Sequence, residues 1–302
     1  MNHLKDLYCS EEEDDEQLDE GLSAGLPSEI LDKYCISPNV EKYEYALGSD
    51  MRGANFAIGK WSSFVFIETR PSRRQQSLLD AILHKASARL GHTSTMLAPV
   101  FNPLHVSELG SPLPLHVSLT ANLDFGSARE LDTFAKMLQI EVLQNFPAGP
   151  LDITFAPRLR VYDNIEHSSL FLALEVAAHV KSRSISRLCT LITESLDFCR
   201  SHEPSQRDAA RSSAWSFENA HMSIARCDNS AITRKYAHQC HLSPAFSAAA
   251  LRSYRQELAN LNQLLESMPL ESELLDELKF QCSGIKLTKE RANVWAPFAS
   301  LG

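Results

Sequence analysis

The sequence predicts an α+β fold with two pseudo-symmetric lobes, each an antiparallel sheet with helices on its outer face, and a central cleft between the lobes. Three observations lead to this prediction. Short strand-like segments alternate with helical ones over residues 51–302. The order strand, helix, strand occurs twice, which indicates an internal duplication. Each copy contains one short strand with the pattern His-x-Ser.

The first fifty residues differ from the rest of the chain in charge. They hold 14 acidic and 3 basic side chains, whereas the later residues hold 24 acidic and 26 basic ones. An acidic segment with few aromatic neighbours buries too little apolar surface to offset its ordering entropy, so residues 1–50 are predicted to be a disordered tail. The near-neutral domain at 51–302 is compatible with short RNA ends and gives no support for charge-driven duplex binding.

The overall composition is typical of a globular protein. Hydrophobic residues make up 44% of the 302 positions, and no run approaches the roughly eighteen apolar residues of a membrane span. The N-terminus lacks the pattern of a signal peptide, which predicts an intracellular protein. Seven irregularly spaced cysteines with no Cys-x-x-Cys pair indicate reduced thiols rather than a disulfide framework or a zinc ribbon.

The first half of the domain begins with an apolar strand at 64–67, which is rich in β-branched and aromatic residues. A helix is predicted over 72–90, capped by its first serine, because leucines recur there at helical spacing. After a Pro-rich connection, Ser127 and Glu130 form a capping-box pattern that opens a second helix, and Pro147 ends it.

The second half repeats this order with further strands and helices. Five strands are predicted, at 151–155, 158–162, 170–176, 280–287 and 293–298. A helix is predicted to begin at Ser184. A helical insertion near 228–278 carries a leucine-rich stretch, which is expected to pack against the second lobe.

The two His-x-Ser strands, at 115–119 and 220–224, are the most informative feature of the chain. Side chains alternate along a strand, so His116 and Ser118 share one face, and His221 and Ser223 share one face of the other strand. The flanking residues on the opposite faces are apolar. If the strands lie together, two imidazoles and two hydroxyls converge in one groove above an apolar layer.

Two further His-x-Ser matches lie in a different context. His105 stands in the Pro-rich connection, and His241 is followed by Ser243 and a proline, so neither lies in an alternating apolar strand. His238, Cys240 and His241 have no fourth ligand at a suitable spacing, so no metal site is predicted there. No other cofactor is indicated.

The four side chains of the paired strands suit cleavage of a phosphodiester without a metal ion. A histidine has an unperturbed pKa near 6.5, so one ring can accept the proton of a 2′-hydroxyl while the other protonates the leaving 5′-oxygen. Serine hydroxyls can donate hydrogen bonds to the nonbridging oxygens, where negative charge develops. The predicted product carries a 2′,3′-cyclic phosphate, and the pattern leaves open which histidine is the acid.

These residues resemble the 2H phosphoesterase superfamily, which carries paired His-x-Ser/Thr strands on a duplicated α+β scaffold. Within it, Gly59-x-Trp61, the strand at 115–119 and the segment at 219–225 resemble the U6 small nuclear RNA phosphodiesterase branch, in a fungal or other lower-eukaryotic form. The resemblance spans roughly residues 50–298. It excludes the acidic tail, and the helical insertion is longer than the family needs.

The resemblance implies a 3′–5′ exoribonuclease that trims the oligouridine end of U6 RNA in the nucleus, as a monomer without membrane attachment. It implies that His116 and His221 are the catalytic pair, that Ser118 and Ser223 bind phosphate, and that Trp215 stacks on a nucleobase where a tyrosine is more familiar. Some relatives reopen the cyclic product to a linear phosphate.

Two other functions remain open at this point. One is a 2H phosphodiesterase for small cyclic phosphates, against which Trp215 and the Gly59-x-Trp61 segment argue. The other, from a different class, is an RNA-binding module without turnover, against which the two intact histidines argue. The fold alone does not choose among them, because function depends on the site rather than the scaffold.

Overall fold

The computed structural model describes residues 61–91, 99–164, 167, 169–201, 217–228, 248–289 and 292–300. The strands are β1 Trp61–Ser63, β2 Val65–Thr69, β3 Asn102–Pro103, β4 Leu115–Ser118, β5 Leu123–Phe125, β6 Leu151–Ile153, β7 Phe155–Asp163, β8 Ser169–Val176, β9 His221–Asp228, β10 Phe280–Cys282, β11 Gly284–Lys289 and β12 Ala292–Pro297. The helices are α1 Arg73–Gly91, α2 Ala128–Asn145, α3 Ala178–Val180, α4 Ser186–Ser201, α5 Ala248–Glu266 and α6 Ser272–Glu277. The predicted tail at 1–50 and the first part of the predicted insertion, 229–247, lie outside the described residues.

The two His-x-Ser strands, β4 and β9, are direct neighbours at the centre of one antiparallel sheet. Within the described residues, seven strands of this sheet lie side by side in the order β12, β11, β2, β4, β9, β8, β7. The short strand β3 lies outside this order and pairs with β9. Val117 of β4 pairs with Met222 of β9 and joins the two halves. The predicted α+β class is confirmed, with the two lobes formed as halves of one continuous sheet.

The helices cover the apolar face of this sheet. Helix α1 packs on β9 and α5, and α2 packs on α4 and β12. On the two central strands, Leu115, Val117 and Met222 are at most 2% exposed, because their side chains point toward this layer. The opposite face, which carries the histidines and serines, is left open, as the alternation of the sequence predicts.

Both predicted helix caps are present. Ser72 Oγ accepts a hydrogen bond from the Gln75 backbone N–H at 3.3 Å, and Gln75 Oε1 accepts one from the Ser72 N–H at 3.0 Å. Ser127 Oγ accepts from the Glu130 N–H at 3.1 Å. These bonds satisfy N–H groups that the first helical turn leaves unpaired. Most of the apolar positions expected on these helices are buried, namely Leu79, Ile82, Leu90, Leu131, Phe134, Leu138 and Val142. Leu78 and Leu83 are partly buried against the core.

The predicted helix start at Ser184 is wrong. Helix α3 begins at Ala178, and a π-helical turn, Lys181–Ile185, joins it to α4. The polar run in this turn hides the helical period in the sequence. Lys181 is nevertheless 8% exposed, because it turns inward to an ion pair. A π-helical turn is rare and frequently lies at a functional site.

The predicted strand at 280–287 is two strands. Strand β10 pairs with β6 outside the main sheet, and β11 pairs with β2 and β12 inside it. The break falls at Ser283. The next residue is a glycine, and position 284 has no room for a side chain, because a Cβ atom there would lie 2.5 Å from the Ala296 carbonyl oxygen.

Helix α5 covers the outer edge of the sheet. Asn262 Oδ1 accepts a hydrogen bond from the Val161 N–H at 2.7 Å, and Asn262 Nδ2 donates to the Val161 carbonyl at 3.1 Å. The carboxamide therefore satisfies the outward backbone groups of β7, as a further strand would. This contact agrees with the expectation that the leucine-rich helix packs against the second lobe.

Replacing Asn262 with alanine is expected to lower the free energy of unfolding by about 1–3 kcal/mol, because the buried Val161 loses both backbone partners. Asn260→Ala is the matched control, since Asn260 lies exposed on the same helix and bonds Gln256 instead. Urea denaturation of the two variants measures the difference. Equal stability would mean that the Asn262 contact contributes nothing.

None of the helices in the described part of the chain has the length and hydropathy that a bilayer-spanning segment needs.

Candidate active site

Two histidines and two serines form a square on the open face of the sheet. Because Val117 pairs with Met222 in an antiparallel ladder, the next register positions place His116 opposite Ser223 and Ser118 opposite His221. The two histidines occupy one diagonal of the square, where Cα atoms are about 7–8 Å apart. All four predicted site residues on these strands are therefore brought together.

The square belongs to two rows of side chains that cross the sheet. The Ser118 row continues through Phe66 of β2 to Lys286 of β11 on one side, and through His221 to Glu175 of β8 on the other. In the parallel row, Glu68 of β2 stands beside His116. Cross-strand partners share one face, so these side chains border the histidines and serines directly.

A backbone carbonyl fixes the orientation of His221. His221 Nδ1 lies 2.7 Å from the Asn219 carbonyl oxygen. A carbonyl can only accept a hydrogen bond, so Nδ1 carries the proton and donates it. The other ring nitrogen, Nε2, is then the atom that can accept or release a proton during a reaction.

A buried ion pair holds the turn that supplies this carbonyl. Lys181 Nζ donates to Glu175 Oε1 at 2.5 Å and to the Glu218 carbonyl at 2.7 Å. Glu218 and Asn219 belong to the 3₁₀ turn Phe217–Asn219 that precedes β9. The π-helical turn thus brings Lys181 to the site, and Lys181 anchors the segment that orients His221.

Each histidine packs against an aromatic ring. The Tyr162 ring stacks on His221 with centroids 3.8 Å apart and an interplanar angle of 8°. The Phe66 ring meets His116 edge-on at 5.7 Å, and Phe64 stacks on Phe66 at 4.9 Å. The close stack and the Nδ1 hydrogen bond therefore hold the His221 ring in place, whereas His116 is bordered by Phe66 on one side.

Burial lowers the pKa of both histidines below the ordinary value of 6.5. For His116 the Glu68 carboxylate opposes this effect. For His221 the Asn219 carbonyl and Glu175 oppose burial, whereas the charges of His116 and Lys181 add to it. The repulsion between the two imidazolium charges favours states in which only one ring is protonated, as acid–base catalysis by a pair requires.

Glu175 remains a carboxylate in this surrounding. Burial raises its pKa, but hydrogen bonds from Arg158 and Lys181 outweigh burial and hold the pKa of Glu175 below its ordinary value. Arg158 Nε lies 2.7 Å from Glu175 Oε2. The charge that anchors Lys181 is therefore present across the neutral pH range.

Replacing Tyr162 with alanine is expected to raise the pKa of His221 toward 6.5, because the stacked ring contributes to the burial that disfavours the imidazolium. NMR titration of His221 measures the shift. Tyr162→Phe is the control, since it keeps the stacked ring and should leave the pKa of His221 low. A still lower pKa of His221 in Tyr162→Ala would instead mean that the cation–π attraction between the tyrosine ring and the imidazolium outweighs the effect of burial.

The structure describes only some of the other residues that the sequence analysis singled out. Trp215, Gly59 and the group of His238, Cys240 and His241 lie outside the described residues, so base stacking by Trp215 stays a prediction. Trp61 packs partly buried against the core. Within the described residues, no three histidine, cysteine, aspartate or glutamate side chains are grouped closely enough to hold a metal ion.

The other described His-x-Ser histidine lies apart from the square. His105 is 1% exposed, and its Nε2 lies 3.0 Å from Asp80 Oδ1 on α1. This contact ties the Pro-rich connection to the helix, which is a structural role. The context of the motif, an alternating apolar strand, therefore distinguished the site histidines from this one.

Known structures share this fold. Kluyveromyces marxianus Usb1 aligns with a TM-score of 0.61 and 21% identity over 80% of this chain and 100% of that chain. The structure of the same protein with uridine monophosphate aligns with a TM-score of 0.61 and 20% identity over 78% of this chain and 98% of that chain. No curated protein sequence matches the chain.

A family model described as HVSL, an uncharacterised conserved protein, matches residues 25–290. The four letters of that name are the residues of the first motif, His116 to Leu119. The match includes both His-x-Ser strands and all the helices described between them. Because it extends over most of the sequence, the protein belongs to the HVSL family.

Proposed function

We propose that this protein is a metal-independent 3′–5′ RNA exonuclease that trims the oligouridine end of U6 small nuclear RNA. The observation that carries the proposal is the square of His116, Ser118, His221 and Ser223 on two adjacent central strands. Membership in the HVSL family supports it, and so does the shared fold with Usb1, one structure of which holds uridine monophosphate.

The reaction begins with attack by the 2′-oxygen on the phosphorus of the last linkage. One imidazole accepts the 2′-hydroxyl proton through its unprotonated ring nitrogen, the bond from phosphorus to the 5′-oxygen breaks, and the other imidazole protonates that oxygen. The products are an RNA with a terminal 2′,3′-cyclic phosphate and a free nucleoside or nucleotide. Each proton transfer contributes about 10²–10⁴ in rate.

The serines act on the phosphate between the two rings. Ser118 and Ser223 occupy the other diagonal of the square, so their hydroxyls flank a phosphate that the histidines bracket. As donors, they stabilise the nonbridging oxygens where charge increases in the transition state. Both serines are half-buried, which strengthens these hydrogen bonds relative to water.

The rate is expected to show a bell-shaped dependence on pH, with the maximum of kcat/KM below pH 6.5. The active form holds one proton on the histidine pair, so the maximum lies midway between the two apparent pKa values. Burial lowers both values from 6.5, which moves the maximum to lower pH. Initial rates from pH 4.5 to 8.5 measure it, and a maximum above pH 7 would contradict the expectation.

Mass spectrometry of the products from a uridine-tailed RNA tests the proposed function. We expect a ladder of products shortened from the 3′ end, each with a cyclic phosphate or its linear hydrolysis product. Cleavage of a mononucleotide cyclic phosphate without shortening of the RNA would support a small-molecule phosphodiesterase instead. Binding of the RNA without any cleavage would support a binding module.

The proposal includes two expectations outside the catalytic domain. The protein acts in the nucleus, where U6 RNA is matured, which imaging of a fluorescent fusion would test. The acidic tail at 1–50 is not needed for chemistry, so a 51–302 fragment should trim RNA at the rate of the full chain. Loss of activity in a folded fragment would give the tail a role in catalysis.

A further inference from the structure

A groove of about 530 Å³ opens beside the square, on the far side of Glu68 from His116. Its walls include Glu68 of β2, Arg70 just after this strand, Lys286 of β11 and Trp295 of β12. The volume lies within the range of small-ligand sites. None of these residues has a part in the proton transfers described above.

The groove and the square lie on the same face of the sheet. Trp295 pairs with Lys286, Lys286 pairs with Phe66, and Phe66 pairs with Ser118, so all four lie in one row on the same face. Three strand spacings separate β12 from β4, which is about 14 Å. This exceeds the spacing of neighbouring phosphates in a single strand. A ligand that spans both places is therefore longer than one nucleotide.

Trp295 is an exposed aromatic residue whose position is set by its neighbours. The residue is 39% exposed, whereas tryptophans are highly buried on average. Beneath it lies Gly284, where a Cβ atom would stand 2.6 Å from Trp295 Cζ2, so the indole rests directly on the glycine backbone. Gln139 Nε2 donates to the Trp295 carbonyl at 2.7 Å and fixes this part of β12. A side chain at position 284 would therefore displace the indole from its present position.

The charges around the groove favour an anion. Lys286 Nζ lies 2.7 Å from Glu68 Oε1, and Arg70 Nε lies 3.3 Å from the same oxygen. Two cations thus share one carboxylate, and the Arg70 side chain is 79% exposed. A phosphate that enters here meets a net positive surface beside an aromatic ring, the combination that binds single-stranded nucleic acid.

We propose that this groove binds a nucleotide of the RNA strand on the 5′ side of the scissile phosphate, with its base on Trp295 and its phosphate near Lys286 and Arg70. The inference rests on the proposed exonuclease function. The 5′ side follows because an exonuclease that releases one nucleotide has only that nucleotide on the 3′ side, and a single nucleotide does not extend 14 Å.

Cleavage of oligouridylates of increasing length tests this subsite. For the wild-type protein, kcat/KM is expected to rise by about tenfold when the chain becomes long enough to reach Trp295. Trp295→Ala should lose this gain yet cleave the dinucleotide within twofold of the wild-type rate. Trp295→Phe should keep part of the gain. Phe198→Ala is the matched control, because it removes an exposed aromatic ring from helix α4 and should leave the gain intact.

An abasic position in the RNA tests the same contact in the unchanged protein. Omitting only the base that lies on Trp295 should remove the length gain in the wild type and change nothing in Trp295→Ala. If the gain survives in Trp295→Ala, or if this variant loses dinucleotide cleavage as well, the subsite is refuted. A wild-type protein that cleaves no oligouridylate would refute the exonuclease itself, whereas equal cleavage at all lengths would refute the subsite alone.

Discussion

Replacing His221 with glutamine is expected to lower kcat on a uridine-tailed RNA by about 10²–10⁴, and replacing His116 should lower it by a similar factor. Each variant loses one proton transfer but keeps a side chain that fits the site. The double variant should be little slower than either single variant, because the two histidines act in one concerted exchange. Single-turnover rates at saturating enzyme measure the chemical step.

His84→Gln is the matched control, since His84 lies exposed on helix α1. It should retain the wild-type rate. A wild-type rate in His116→Gln or His221→Gln would remove that residue from catalysis, and circular dichroism of each variant distinguishes loss of chemistry from loss of fold.

A substrate with sulfur in place of the bridging 5′-oxygen assigns the two roles. A thiolate leaves without being protonated, so the variant that lacks the general acid should recover most of its rate on this substrate. The variant that lacks the base should not, because the 2′-hydroxyl still has to lose its proton. The two motifs are nearly the same, so the sequence does not show which histidine is the general acid. Recovery of the rate on the sulfur substrate identifies it.

The local part of the site could be predicted from sequence because alternation along a strand is local. It placed His116 with Ser118 and His221 with Ser223, and the buried apolar residues on the other face confirm the pattern. The capping patterns in the sequence also predicted where α1 and α2 begin, the two helices that have a capping serine. Ser127 and Glu130 fix the start of α2 through bonds that lie within one turn.

The supporting contacts could not be predicted, because they join residues that are distant along the chain. Tyr162 stacks on His221 across β8, and Lys181 bonds both Glu175 and the turn at Glu218. Asn219 lies only two residues before His221. It acts through its backbone carbonyl, however, and such a contact cannot be recognised from the type of side chain. The polar residues of the π-helical turn Lys181–Ile185 interrupt the apolar period, so the sequence gives no sign that the helix begins before Ser184.

A 2′-deoxy sugar immediately 5′ of the scissile phosphate is expected to abolish cleavage. In the proposed mechanism the two histidines transfer protons and the two serines donate hydrogen bonds, so the substrate has to provide the nucleophile. Attack by a neighbouring hydroxyl corresponds to effective molarities of about 10⁵–10⁸ M. Its removal should therefore reduce the rate by several orders of magnitude, well below detection in a gel assay.

Two substrates separate loss of the nucleophile from loss of binding. A 2′-fluoro sugar at the same position keeps the size of the hydroxyl but cannot attack, so it should be equally inert while competing with RNA for the site. A 2′-deoxy sugar on the 3′ side of the scissile phosphate lacks a hydroxyl that takes no part in the attack, so it should be cleaved nearly as fast as RNA. Brisk cleavage of the first deoxy substrate would mean that water attacks the phosphorus, and the histidine pair would then have to activate water instead of the 2′-hydroxyl.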